Sequence, residues 1–283
     1  MKKTTLLSLV VLASAANAQL YGVGRSAGGY DFYQVNTTTG AATSLFTFSV
    51  PNAGSLVGLT YVPSSNKFLT SAQYSAFSSG LVEIDATAMT ATVVSTGIPN
   101  NSMSTPYFEG LEYMASMGGV VVSYGPGGFF SGNLALLNTS GYGLLNNNAT
   151  TGIPDGDVIF MDGTGALNVM DTNNPYSGNM RNRITTPFSG IGITPWGSNM
   201  FGATDSDFAW KQDEGRLFLT QGGNLATVNA ASTSITFVGS YGVATSGAPI
   251  NITGLATKPV PEPATLAALG IGATALMRRR LKK

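Results

Sequence analysis

The chain has 283 residues with 14 basic and 14 acidic side chains, is formally neutral, and contains 36 glycines but no histidine and no cysteine. The lack of histidine removes the commonest general base, the usual partner of an activated nucleophile and the commonest transition-metal ligand. The lack of cysteine rules out a disulfide framework, which a body of about 240 residues can do without because it can bury a sufficient core.

At the amino end, Lys2 and Lys3 precede an apolar run, Leu6 to Ala13, and then the small-x-small sequence Ala16-Asn17-Ala18. This order predicts a signal peptide over residues 1–18, drawn as a short helix and cut between Ala18 and Gln19. The body that follows, residues 19–259, keeps seven basic and 13 acidic residues, a net charge of −6. An acidic body argues against nucleic acid or an anionic membrane as its partner.

Within the body, short apolar runs alternate with Gly, Asn, Ser and Thr, which predicts an all-β domain. A four-strand unit is legible as VGLTYVP (57–63), KFLTS (67–71), GLVEID (80–85) and TATVVSTG (90–97). A second begins at FEGLEYM (108–114) and continues through GGVVVSY (118–124), NLALLNTS (133–140) and a weak strand near GLLNN. A third runs from Asp207 to Ser240. Self-similarity at about 40 residues per unit indicates a propeller or solenoid.

The two ends of the body are complementary. LYGVG (20–24) reads as the second strand of a unit, and ITGLATKP (252–259) as a first strand. One sheet closed by both termini predicts a β-propeller of five blades and removes free sheet edges; six blades or a two-sheet β-sandwich are the alternatives. VIFMDG and GALNVMD (158–171) form one hairpin of the least regular unit, and NNPYSGNMRNRITTPF reads as a long polar excursion.

No grouping reads as catalytic. Asp205, Asp207, Asp213 and Glu214 form the densest acidic group, with Asp155, Asp157 and Asp162 a second. They are weak candidates for calcium, lacking the spacing of a known calcium loop, and otherwise no cofactor is expected. Glu83 and Asp85 share one face of a strand, but Gln34 and Asn36, and Ala226 and Val228, occupy nearby positions of related phrases, which favours a structural role. Phe129, Phe130, Trp196 and Trp210 are candidates for a sugar-stacking platform, with packing between sheets the plainer reading. Five Asn-x-Ser/Thr triplets, at Asn36, Asn100, Asn138, Asn148 and Asn251, are expected by chance in a chain of this composition.

The last segment, residues 260–283, has three parts. Pro261-Glu262-Pro263 can continue neither a helix nor a sheet ladder. Ala264 to Met277 is uncharged. Arg278, Arg279, Arg280, Lys282 and Lys283 then place five positive charges in six positions. An apolar run ending in such a cluster reads as a membrane helix stopped with its basic end in the cytoplasm, although 14 residues fall short of the roughly 20 that a span needs.

This order of residues resembles the PEP-CTERM sorting signal of exported proteins from exopolysaccharide-producing bacteria. The resemblance implies handling by a membrane protease-transpeptidase, the exosortase, with Pro261, Glu262 and Pro263 as recognition residues and Arg278, Arg279 and Arg280 as the cytoplasmic stop. The expected function is a non-enzymatic binding or structural protein of the cell envelope, cell surface or extracellular matrix. It would be transiently anchored through its tail, with extracellular polysaccharide a candidate partner. The alternative is a calcium-assisted hydrolase or lyase acting on polysaccharide.

Overall fold

The structure, a computed structural model, describes residues 18–75, 78–95, 107–125, 132–153, 158–171, 180–186, 189–195, 207–221, 223–229 and 234–259. Residues 19–258 form one compact unit. The signal helix expected over residues 1–18 and the apolar helix expected over residues 264–277 lie outside the described residues, apart from Ala18. Among the described residues no helix is long and apolar enough to cross a membrane, and a single 3-10 turn at Ala115–Met117 is the one regular element that is not a strand.

Strands β1 (Gln19–Ser26), β2 (Gly29–Val35) and β3 (Ala42–Phe48) share the first sheet with a strand from the far end of the chain. Strands β4 (Ser55–Val62), β5 (Lys67–Ser75), β6 (Ser78–Asp85) and β7 (Thr90–Ser95) form the second, and β8 (Tyr107–Met114), β9 (Gly119–Gly125), β10 (Gly132–Asn138) and β11 (Leu144–Ile153) the third. The fourth holds β12 (Val158–Met161), β13 (Leu167–Asp171), β14 (Met180–Thr186) and β15 (Ser189–Pro195). The fifth holds β16 (Asp207–Lys211), β17 (Arg216–Gln221), β18 (Asn224–Val228) and β19 (Ile235–Ser240). Strand β20 (Asn251–Lys258) completes the first sheet in the order β20-β1-β2-β3, with all neighbours antiparallel.

The expected pairing of the two ends is therefore present: Leu20 lies opposite Thr257, Gly22 opposite Leu255 and Gly24 opposite Ile252. The turns follow local chemistry. Asn36 accepts the N–H groups of Thr38 and Thr39, Asp85 those of Thr87 and Ala88, and Asp162 those of Thr164 and Ala166. These are side chains that mimic a backbone turn.

Each sheet buries its faces against two neighbours, and five apolar seams result. Phe32 and Tyr21 meet Leu59 and Phe68 between the first and second sheets, and Leu69 and Leu81 meet Leu111 and Val122 between the second and third. Val121 and Leu134 meet Ile159 and Leu167 next. Phe160 then packs on Phe208, ring centroids 4.9 Å apart. Phe218 and Leu225 finally meet Leu20 and Leu255, which returns to the first sheet. A fully buried side chain of this size contributes roughly 1.5–3 kcal/mol. The first strands of the sheets, β20, β4, β8, β12 and β16, are neighbours in a closed cycle. Sheets packed face to face around a common axis are a β-propeller arrangement, and a two-sheet sandwich is excluded.

The polar stretch 173–188 corrects the reading as an excursion, because it contains β14 and the hairpin into β15. These are the outer strands of their sheet. Sequences such as Arg181-Asn182-Arg183 carry none of the apolar alternation by which a half-buried strand is recognised.

Around the axis the first strands approach at glycine. A Cβ on Gly254 would stand 2.7 Å from the Gly58 carbonyl oxygen, and one on Gly110 2.7 Å from the Ile159 nitrogen. Gly254→Ala is expected to lower stability by roughly 1–3 kcal/mol, the usual cost of overpacking. Gly54→Ala, where the nearest atom is 3.6 Å away, should stay within about 0.5 kcal/mol. Urea unfolding of both variants measures the difference.

Candidate functional site

The repeated phrase at the axis reads Gly58-Leu59-Thr60-Tyr61, Gly110-Leu111-Glu112-Tyr113 and Gly254-Leu255-Ala256-Thr257, but Asp207-Phe208-Ala209-Trp210 in the fifth sheet. Asp207 thus stands where three other first strands have glycine, and its carboxyl reaches the backbone of two of them. Its Oδ2 accepts the Leu255 N–H of β20 at 2.7 Å and the Leu59 N–H of β4 at 3.1 Å, while Oδ1 accepts the N–H of Phe208 at 2.8 Å. One side chain, 3% exposed, ties together three of the strands that surround the axis.

Burial pushes the Asp207 carboxyl up to about 8, against the pull of its three N–H donors. Glu112 on β8 keeps some accessible surface but sits deep among protein atoms; burial and then the Asp207 charge hold its carboxyl well above the ordinary range. With both Asp207 oxygens engaged by backbone, this carboxyl is a pin for the ring and not a free base.

The acidic group expected as a weak calcium candidate does not converge. Asp207 faces the axis, whereas Asp213 and Glu214 both take Lys211, at 2.8 and 2.7 Å. Lys211 is 3% exposed, so the two carboxylates neutralise a buried cation. Glu214 also accepts the Thr37 hydroxyl at 2.7 Å from the first sheet. Burial would raise its carboxyl, but Lys211, Thr37 and Arg216 hold it below its usual value. Asp205 lies outside the described residues, as do Asp155 and Asp157. Among the described residues no group of three or more acidic side chains is placed to hold a metal ion. Asp162 organises its own turn.

Glu83 binds Lys67 at 2.5 Å and accepts the Tyr142 hydroxyl at 2.9 Å, joining the second and third sheets. Asp85 caps the turn that follows it. The pair is engaged in structure.

Phe129, Phe130 and Trp196 lie outside the described residues. Trp210 is half-buried and packs in the seam between the fourth and fifth sheets, where Gly163 leaves room for its ring. Tyr61 and Tyr113 occupy the equivalent repeat positions and are also half-buried. Lys258 lies over the Tyr61 ring, 5.4 Å from its centroid. Tyr61, Tyr113 and Trp210 thus hold equivalent positions on three first strands, and each ring packs in a different seam. The axial role of Asp207 was hidden; its signal was the departure from glycine when the repeats are aligned. The sorting residues Pro261, Glu262, Pro263, Arg278, Arg279 and Arg280 lie outside the described residues, while Gln19 opens β1 directly after the expected cut at Ala18.

Residues 259–281 match the family model of the PEP-CTERM protein-sorting motif. The chain carries that motif behind a β-propeller-like body. No curated protein matches it. Among solved structures it is similar to a gluconolactonase from Xanthomonas campestris, at 11% identity over 84% of this chain and 79% of that one, with a TM-score of 0.49. It is also similar to an aldose sugar dehydrogenase from Streptomyces coelicolor, at 14% identity over 86% and 95% and a TM-score of 0.47. For TolB from Acinetobacter baumannii the identity is 10% and the TM-score 0.46, and the 80% of this chain that aligns spans 54% of the TolB chain. At such values the assignment of the fold rests on the strand pairing and seams described above.

The electrostatics of the axis predict an unusual pH dependence. A carboxyl raised in the folded state keeps its proton after the unfolded chain has released it, so stability falls as pH rises from about 4 to about 8. No histidine titrates in that window, and the lowered carboxylates Asp85, Asp162 and Glu214 act below it. Thermal unfolding should give a higher midpoint at pH 5 than at pH 8, and Asp207→Asn should be less stable throughout but show a smaller difference between the two.

Proposed function

We propose that this chain is an exported protein of the bacterial surface or extracellular matrix, a five-bladed body without enzymatic activity that is sorted by its carboxy-terminal signal. The observation that carries the reading is the PEP-CTERM match at residues 259–281. It is supported by the small-x-small cleavage sequence immediately before Gln19, so that a signal for export stands at one end and a signal for sorting at the other. The motif implies an exosortase as the processing partner and transient anchoring in the membrane before release.

Extracellular polysaccharide is the ligand class that we assign to the body. Tyr61, Tyr113 and Trp210 are half-buried aromatic side chains on three blades, and the exposed part of such a ring is apolar surface on which a sugar can stack. A glycan array probed with the mature protein should show binding that Tyr61→Ala and Tyr113→Ala together weaken at least tenfold, with no conversion of bound polysaccharide. Turnover of any panel member would overturn the non-enzymatic reading.

The tail is tested by two variants. Replacing Arg278, Arg279 and Arg280 with Ser removes the charges that hold its end in the cytoplasm, so the protein should reach the medium with its tail uncut. Replacing Pro261, Glu262 and Pro263 with Ala should leave the protein in the membrane, unprocessed. Fractionation and intact mass distinguish these outcomes; two variants with the location and mass of wild type would mean that the tail is no sorting signal.

A further inference from the structure

Strand β20 ends at Lys258, and only Pro259 and Val260 separate it from Pro261. The path from Lys258 to Pro261 spans at most roughly 11 Å when fully extended. A substrate segment is commonly held extended in a recognition cleft over several residues, and although Pro259, Pro261 and Pro263 have no N–H, those of Lys258, Val260 and Glu262 alternate with them and can serve such contacts. A cleft closing on Pro261 to Pro263 in this way reaches back onto Thr257 and Lys258, and both are already engaged in the ring. Lys258 pairs with Gln19 and Thr257 with Leu20. The Thr257 hydroxyl donates to the Trp210 carbonyl at 2.9 Å, and the Lys258 ammonium lies over Tyr61.

The next residues inward are held differently. Ala256 and Leu255 are buried, and the Leu255 N–H is bound by Asp207. Thr257 and Lys258 are only half-buried, so the final two rungs can part while the rest of β20 stays in place. Local opening of this kind costs far less than global unfolding.

We propose that Thr257 and Lys258 form a latch that must leave β1 before the tail can be processed, so that the rate of sorting is set by a local opening of the last blade. This rests on the sorting function proposed above. The same two rungs hold both processed ends of the body, since Gln19 is the residue exposed by removal of the signal peptide. The latch links maturation at the carboxy terminus to a pairing made by the new amino terminus.

Pulse-chase of the full-length protein in cells that contain the exosortase, reading the uncut and cut forms by mass, tests the latch. Thr257→Val removes the hydroxyl that holds Trp210 and should speed processing about fivefold, the ratio expected from losing one ordinary hydrogen bond. A ten-residue Gly/Ser spacer between Pro259 and Val260 supplies free chain without touching the latch. It should speed processing at least as much, and Thr257→Val should then add nothing. Equal rates for wild type and the spacer variant, or an additive effect of Thr257→Val in the spacer background, would overturn the proposal. Alanine at Pro261, Glu262 and Pro263 serves as the separate check on sorting: processing of that variant at the wild-type rate defeats the sorting reading itself, whatever the spacer does.

Discussion

The Asp207 carboxyl is the interaction around which the ring is arranged. A propeller must bring its first strands together at the axis, where side chains crowd and backbone N–H groups risk being buried without partners. Three of the strands meet that constraint with glycine at positions 58, 110 and 254, and the fifth sheet has Asp207 at the equivalent position. The carboxyl takes N–H groups from β4, β16 and β20 at once. It therefore connects the last strand of the chain to the second sheet as well as to its immediate neighbour. The raised affinity of this carboxyl for its proton is the consequence of holding a polar group where water is excluded.

Beyond the axis, cohesion is divided between apolar seams and single polar bridges. Tyr21, Phe32 and Phe68 form a continuous aromatic cluster, with Phe32 and Phe68 centroids 5.0 Å apart. Hydroxyls do most of the cross-sheet bonding. Thr253 donates to the Leu56 carbonyl at 2.5 Å, Thr220 to that of Ile252 at 2.6 Å, and the Thr60 hydroxyl accepts the Tyr113 N–H at 2.9 Å. Each such bond contributes about 1 kcal/mol; those of Thr253 and Thr60 fix the stagger of one first strand against the next, and that of Thr220 ties β17 to β20. Threonine suits this role because it has good strand propensity and brings a hydroxyl that a neighbouring carbonyl can accept. The density of Thr in the sequence is thus partly a density of inter-sheet fasteners.

Closure by both termini connects this architecture to sorting. The sheet that contains β1 is incomplete until β20 arrives, and β20 is the last strand before the motif at residues 259–281. Because β20 is the last strand of the body, the propeller can close only when nearly all of the body is available. The ring is then completed within a few residues of the tail.

The sequence by itself determined the elements that local chemistry controls. The tail is read from linear order of charge and apolarity, and the units at residues 57–97, 108–147 and 207–240 from alternation between turn residues. The pairing of residues 20–24 with 252–257 followed from one incomplete unit at each end. The sequence was silent on β14 and β15, since outer strands need not alternate, and it mistook the acidic residues near 205–214 for one group. Only the tertiary structure separated them, sending Asp207 to the axis and leaving Asp213 and Glu214 to Lys211, because neighbours in a strand and its turn point to different faces. It alone placed the Tyr61, Tyr113 and Trp210 rings in three different seams, since what a first strand packs against is decided by how the sheets are stacked around the axis and not by any local pattern.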